Sequence, residues 1–184
     1  MRKVYSRHGD GDWEMRRAVL TACVMVAFSA TSAFAQEVKL LQKFSDWAAY
    51  VSQGSPKVCF AVSQPRSSLP KNVRRGPIYF YVSNYPADKI TGEISVKMGY
   101  PFPPGGKVTL TIDKTEFELF TKDEGAFVEK PEDEAKLVEA LKSGSTMLIK
   151  GRSARGTSTT DTYSLSGTTD ALDRIAKECA GDAG

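Results

Sequence analysis

Apolar and polar residues alternate with a period of two along much of this chain. The alternation is clearest at 78–82, 94–98 and 108–112, where Ile, Phe, Val, Leu or Met occupies every second position. Successive side chains of a strand point to opposite faces, so each run predicts a strand with one buried face. Shorter runs predict four more strands, at 58–62, 117–121, 146–150 and 160–165.

Turn-forming residues separate these runs, notably the Pro- and Gly-containing segments 85–88, 103–106 and 122–125. About seven short strands at this spacing are typical of two packed antiparallel sheets. The sequence therefore predicts a mainly β fold, an immunoglobulin-like β-sandwich with two short helices.

The two helices are predicted where the period changes. In 131–144, Pro131 suits the first helical position, acidic residues follow it, and Leu137 and Leu141 belong to the apolar stripe. In 168–179 the apolar positions recur at a spacing of four and end on Cys179. We expect the C-terminal helix to pack on the sheet.

The acidic residues 132–134 have a second interpretation, a cation site. A helix start explains every one of them, because anions are favoured near a helix N-terminus. The sequence therefore predicts no metal site and no cofactor.

The segment Met15–Ala35 has the three parts of a secretory signal peptide. Arg16 and Arg17 supply the positive start, an apolar run follows, and Ala33 and Ala35 flank the cleavage position. We predict cleavage after Ala35 and export by the general secretory route. The polar residues 1–14 are either a long n-region or untranslated sequence, with translation starting at Met15.

This division makes 1–35 a leader and 36–184 a single mature domain in the periplasm or on the outer cell surface. The apolar run is too short to span a bilayer comfortably, since a spanning helix needs about 20 apolar residues. No second such run follows, so we predict no transmembrane span in the mature chain.

Cysteine usage agrees with export. Cys23 belongs to the leader, which leaves Cys59 and Cys179 as one pair. Exported proteins use such pairs as disulfides, and we expect a bond between them; the alternative is two free buried thiols. If Phe60 faces the core, Cys59 points outward, and the C-terminal helix must cross the outer face of that strand.

The charge and the histidine content reduce the number of function classes that suit this chain. The chain has 25 basic and 22 acidic residues, and the leader takes more of the basic ones, so the mature domain is nearly neutral and nucleic-acid binding is not indicated. The one histidine, His8, lies in the leader. A mature chain without histidine cannot form a Ser–His or Cys–His catalytic pair.

From Trp47 onward the chain resembles the invasion-associated locus B family of exported bacterial envelope proteins. The matching segments are VCFAVSQP (58–65), IYFYVSNYP (78–86), EISVKMGYPF (93–102), LVEALKSGS (137–145) and SARGTSTTDTYSLSG (153–167). The resemblance implies a β-sandwich, a periplasmic or outer-surface location and a link to interaction with host cells. It implies no catalytic residues.

A first candidate binding segment is the Pro-bounded stretch 64–77. It carries Arg66, Lys71, Arg74 and Arg75 and no acidic residue. Long structureless loops are often functional, and this one suits peripheral contact with an anionic surface such as lipopolysaccharide, lipid headgroups or host glycans. The alternative is a solvated loop without a ligand.

A second candidate is 151–161. It is not a phosphate-binding P-loop, because Thr157 stands where that motif needs Lys. Arg152 and Arg155, with nearby hydroxyls, suit an anionic ligand. The alternative is a hairpin in which Arg155 pairs with Asp161 and the hydroxyls bind turn backbone groups.

Two weaker patterns complete the candidates. Aromatic residues at 79, 81, 85, 100 and 102 form either an exposed patch or a surface covered by a helix or loop. Asp46, Asp113 and Asp161 are candidate acids for a hydrolase, although their spacing does not bring any two together.

We therefore expect a non-enzymatic envelope module that binds an unidentified protein or a component of the envelope or host surface. One alternative is a carboxylate-based hydrolase of cell-wall sugars, which needs two converging carboxylates. Another is a chaperone-like structural factor, which needs an open sheet edge.

Overall fold

The computed structural model describes residues 37–52 and 54–180. Its elements are eleven strands, a single 3₁₀ turn and two helices. The strands are β1 Val38–Phe44, β2 Trp47–Ser52, β3 Val58–Ser63, β4 Ser67–Leu69, β5 Tyr79–Tyr85, β6 Ile90–Lys97, β7 Lys107–Ile112, β8 Thr115–Lys122, β9 Gly125–Phe127, β10 Thr146–Arg152 and β11 Ser158–Ser164. The 3₁₀ turn is Pro86–Asp88, and the helices are α1 Pro131–Ser143 and α2 Thr168–Ala180.

The mainly β class and both helices are confirmed. Each of the seven predicted strands is present, as β3, β5, β6, β7, β8, β10 and β11. The predicted signal peptide at 15–35 and its cleavage after Ala35 lie outside the described residues, so they stay predictions.

All the strands belong to one antiparallel sheet. Its order is β1-β2-β3-β5-β6-β9-β8-β7-β10-β11-β4. Phe80 of β5 and Tyr163 of β11 are far apart in that order, yet their ring centroids lie 6.1 Å apart, and Trp47 of β2 packs against Phe80 at 5.8 Å. The sheet therefore folds over itself around a common core, which is consistent with the predicted β-sandwich.

The core consists of the inward faces of the alternating strands. Its largest fully buried side chains include Trp47, Phe80, Ile94, Leu110 and Tyr163. Burial holds the pKa of the Tyr163 hydroxyl well above its usual range, so the group stays neutral. It has no hydrogen-bond partner within the described residues.

Helix α1 covers part of β6 and β8 with the buried residues Leu137 and Leu141. β9 pairs with β6 only from Ser95 onward, and the backbone N–H of Ile94 donates to Glu134 Oε1 at 2.7 Å. The acidic start of α1 thus binds a sheet edge. No group of three or more His, Cys, Asp or Glu within the described residues is arranged to hold a metal ion.

Helix α2 packs against β1, β2, β3 and β5. It is joined to β3 by the predicted disulfide, Cys59–Cys179, with a Cα–Cα distance of 6.0 Å. The sequence predicted that Cys59 points outward if Phe60 faces the core. That condition is not met, because Phe60 is only partly buried and Cys59 is fully buried. Cys59 faces the core and α2, whereas Phe60 points to the opposite face.

Four strands were not predicted. β2 has the alternation of a buried strand, but its small residues Ala48 and Ala49 give a weak signal. β1 is largely exposed and contains a register shift between Leu40 and Gln42. β4 and β9 have three residues each, too few to show a period.

Reduction of Cys59–Cys179 is expected to lower the melting temperature by roughly 10 °C. The bond closes a loop with a sequence separation of 120, and in the chain-entropy model a loop of this size contributes about 4–5 kcal/mol. Thermal denaturation with and without reductant checks this. An unchanged melting temperature after complete reduction would contradict it.

Candidate anion-binding site

The structure brings the two basic candidate segments together. A cavity of about 310 Å³ lies between the loop that precedes β5 and the β10–β11 hairpin. Arg74 and Arg75 line it from the loop, and Arg155 lines it from the hairpin. From the sequence alone, segments 64–77 and 151–161 were separate candidate sites. In the structure both segments line the same cavity.

Arg75 is the buried anchor of this site. Its guanidinium donates to both carboxylate oxygens of Asp161, each at 2.7 Å. The exposed fractions of the two side chains are 7% and 0%. A bidentate pair of this kind is both directional and strong.

This geometry corrects two expectations. Arg75 offers no uncompensated charge to an anionic surface, because Asp161 neutralises it inside the protein. Asp161 does not pair with Arg155, the nearer arginine in sequence; its partner lies 86 residues away. In the sheet, Asp161 of β11 lies opposite Ser68 of β4. Because β4 directly precedes the loop that carries Arg75, this pairing brings the loop close to Asp161.

The loop also binds the segment that follows β6. Nε and Nη2 of Arg75 donate to the Met98 carbonyl at 3.1 and 2.7 Å, and the Gly76 N–H donates to the Gly99 carbonyl at 2.8 Å. Gly99 has φ +70°, and a Cβ there would lie within 2.4 Å of the Gly76 oxygen. Position 99 therefore requires glycine for this close approach.

The hairpin tip forms a tight turn of its own. The Ser153 N–H donates to the Thr157 carbonyl at 2.9 Å, and the Gly156 N–H donates to the Ser153 carbonyl at 2.8 Å. The Ala154 N–H donates to the Pro101 carbonyl at 2.8 Å. The turn is thus fixed to the same 98–102 segment that holds Arg75, and it projects Arg155 toward the loop.

Tyr100 forms the wall between the two segments. The Arg75 guanidinium carbon lies 4.9 Å from the centroid of its ring, a cation–π contact. Its hydroxyl shares a 2.7 Å hydrogen bond with Thr159 Oγ1. Burial raises the pKa of this hydroxyl, an effect opposed by Thr159 and Arg75 and reinforced by Asp161, so Tyr100 remains protonated.

The remaining predicted binding residues lie outside this cavity. Arg66 forms an exposed bidentate pair with Asp46, at 3.0 and 2.5 Å, and its hydrogen bond lowers the pKa of Asp46. Arg152 Nε donates to the Gly156 carbonyl at 3.1 Å and supports the turn. Lys71 is exposed on the loop. The segment 64–77 is also not wholly structureless, because it contains β4.

The three candidate carboxylates are engaged separately. Asp161 binds Arg75, Asp46 binds Arg66, and Asp113 accepts from the backbone N–H groups of Ser145 and Thr146 at 3.3–3.4 Å. The three aspartates therefore bind different partners, and each contact joins two segments of the fold.

Four of the five aromatic candidates fall into two groups, and the fifth, Tyr85, ends β5 and is partly buried. Tyr79 and Tyr81 extend a row across β2, β3 and β5 that includes Tyr50 and Phe60, and all four side chains are partly exposed. Tyr100 and Phe102 pack edge to face at 5.2 Å beside the cavity. The predicted alternatives, a patch and a covered surface, therefore apply to different members of the set.

Among the described residues, no helix has the length and apolar character needed to cross a membrane.

Comparison with known proteins identifies a family and structurally similar solved proteins. The family model described as "Invasion associated locus B (IalB) protein" matches residues 47–176. The crystal structure of invasion associated protein b from Bartonella henselae is similar with a TM-score of 0.51 and 19% identity, over 74% of this chain and 95% of that one. Comparison with curated proteins gave no match.

Asp161→Asn is expected to lower the free energy of unfolding by about 3 kcal/mol, because it leaves the charge of Arg75 buried without a counter-charge. Arg66→Ala is the matched control. It breaks the pair with Asp46, in which the exposed fraction of Arg66 is 64%, and we expect a change of less than about 1 kcal/mol. Urea denaturation of both variants checks this, and equal losses would contradict the assigned difference.

Proposed function

The chain belongs to the invasion associated locus B (IalB) family, and on that premise we propose that it is an exported envelope protein that acts as a non-enzymatic interaction module. Its binding site is the cavity lined by Arg74, Arg75 and Arg155, hereafter the arginine pocket. The module binds an anionic group on a component of the envelope or of a host surface.

The observation that carries this proposal is the unbalanced charge of the arginine pocket. Arg74 and Arg155 are both exposed, and neither forms an ion pair with any described residue. The Arg75–Asp161 pair contributes no net charge. Two unpaired guanidinium groups at the rim of one cavity attract anions, because arginine binds phosphate and carboxylate groups through paired N–H donors.

The names of the family and of the Bartonella henselae protein associate those proteins with invasion, and this supports a role of the present chain in contact with host cells. The predicted signal peptide supports export, and the disulfide supports an oxidising compartment. We therefore propose the periplasm or the outer cell surface as the place where the module works.

The hydrolase alternative is less well supported. Inverting and retaining glycosidases use two free carboxylates about 5–10 Å apart. The candidate acids here are held by Arg66, Arg75 and backbone amides, which suits structural roles better.

The chaperone-like alternative depends on an open sheet edge. β1 is at one end of the described sheet order and exposes Val38 and Leu40. Its register shift and its two lysines, Lys39 and Lys43, are features that protect edge strands from pairing. This edge therefore favours a protected strand over one that accepts a partner.

The double variant Arg74→Ala/Arg155→Ala is expected to reduce binding to anionic lipid vesicles roughly thirtyfold in low salt, since each basic residue near such a surface contributes about 1 kcal/mol. Co-sedimentation with vesicles containing phosphatidylglycerol measures this. Added salt should weaken binding of the wild-type protein.

The control is Lys107→Ala/Lys136→Ala, which removes the same charge from two exposed lysines outside the arginine pocket. We expect it to change binding much less. Equal losses in the two double variants would show a dependence on net charge alone and would contradict the assigned site.

A further inference from the structure

We propose that the arginine pocket is a discrete one-to-one site for a phosphomonoester group. This inference rests on the proposed function and deepens it, because it names the chemical class that the module recognises. The shared chemistry is a terminal phosphate on a small organic molecule, whether a soluble sugar phosphate or a lipid headgroup.

The first argument is an excess of hydrogen-bond donors. A guanidinium has five N–H groups, and Arg75 uses four hydrogen bonds to hold Asp161 and the Met98 carbonyl. One N–H on Nη1 therefore has no acceptor within the described residues. Arg74 and Arg155 add their own donors, of which one makes a long 3.5 Å contact, from Arg155 Nη2 to the Arg74 carbonyl.

The hydroxyl group of Ser153 adds to this excess of hydrogen-bond donors. Ser153 is 4% exposed and lines the cavity. Its Oγ accepts from the Thr157 N–H at 3.2 Å, and its own proton has no acceptor among the described residues. Buried polar hydrogens are usually bonded, so an incoming oxygen at this position would complete an existing arrangement.

The second argument is charge. The cavity lining contains three arginines and no Asp or Glu, and Asp161 neutralises one of the three. The remaining charge is that of Arg74 and Arg155. A phosphomonoester carries about −1.5 to −2 at pH 7, so it matches both arginines, whereas a carboxylate or a phosphodiester carries one negative charge.

The third argument is the number of acceptor oxygens. A phosphomonoester presents three terminal oxygens, and three sets of donors line the cavity: the arginines of the loop, the Arg155 guanidinium of the hairpin and the Ser153 hydroxyl of the same hairpin. A carboxylate or a phosphodiester presents two such oxygens and leaves one set of donors unused.

The fourth argument is size. A volume of about 310 Å³ is at the lower end of small-molecule sites, which span roughly 300–1,000 Å³. It exceeds what a phosphate group fills. The lining also includes Val73 and Tyr100, whose apolar surfaces suit the carbon skeleton that carries the phosphate.

The test is titration of the purified protein with methyl phosphate, dimethyl phosphate and acetate, followed by NMR shifts of backbone amides. We expect saturable one-to-one binding of methyl phosphate, at least tenfold tighter than binding of the other two. The shifts should concentrate at residues 73–76 and 153–157.

Three variants sharpen the titration. Arg74→Ala/Arg155→Ala should weaken methyl phosphate binding at least tenfold, and Ser153→Ala should weaken it severalfold. Lys107→Ala/Lys136→Ala should leave it unchanged. Amide spectra of each variant establish that it is folded before its affinity is compared.

Two further arms distinguish the source of the phosphate. Vesicles with phosphatidic acid are compared with phosphatidylglycerol vesicles of equal surface charge, and glucosamine 1-phosphate is titrated in solution. A preference for phosphatidic acid supports a lipid phosphomonoester, and tighter binding of the sugar phosphate than of methyl phosphate supports a soluble ligand.

Failure of this inference differs from failure of the proposed function. If methyl phosphate does not saturate the site or binds no better than acetate, while vesicle binding still depends on Arg74 and Arg155, the phosphomonoester site is wrong and the anionic interaction module stands. If neither vesicles nor phosphate bind, both are overturned.

Discussion

The buried ion pair between Arg75 and Asp161 is the contact on which the arrangement of the candidate site depends. It joins a loop with little regular structure to a strand of the sheet, at a depth where both side chains are almost completely shielded from water. Charges in such an environment are stable only while they are paired and hydrogen-bonded. The loop between β4 and β5 is therefore held in one place.

The position of Arg74 and Arg155 follows from that anchor. Arg74 is adjacent in sequence to the fixed Arg75, and Arg155 projects from a turn bound to the Pro101 carbonyl, in the same segment that accepts from Arg75 and Gly76. Buried contacts thus position two exposed charges across one cavity. Positioning in advance favours binding, because less side-chain and loop freedom is lost when a ligand arrives.

The hydrophobic core and the disulfide stabilise the sheet that carries the candidate site. The sheet folds around Trp47, Phe80 and Tyr163, and the disulfide holds α2 against β3. Asp161 and Tyr163 alternate with partly exposed residues on β11. The strand that supplies the core aromatic residue therefore also supplies the acid that anchors the loop.

The strands with a strong period of two, such as β5, β6 and β7, were predictable because their buried faces consist of large apolar residues. β1 and β4 were not, since their pairing depends on neighbours rather than on their own patterns. Cys59–Cys179 was predictable because these two cysteines remain as one pair once Cys23 is assigned to the predicted leader.

The candidate site was predictable only in part. The sequence identified Arg74, Arg75, Arg155 and Asp161, but the only partner it suggested for Asp161, in one of two interpretations of the hairpin, was Arg155, which is close in the chain. The true partner is distant in sequence and is brought near by the pairing of β4 with β11. Local sequence patterns carry no information about such a long-range contact. For the same reason they could not show that the two basic segments line one cavity.

The most direct test of this account is amide hydrogen exchange at Gly76, whose N–H donates to the Gly99 carbonyl at 2.8 Å. If the buried pair fixes the loop, Asp161→Asn should accelerate exchange at Gly76 at least tenfold more than at the central amides of β10. Equal acceleration at both places, or none at Gly76, would show that the loop is held by something else and would contradict the account.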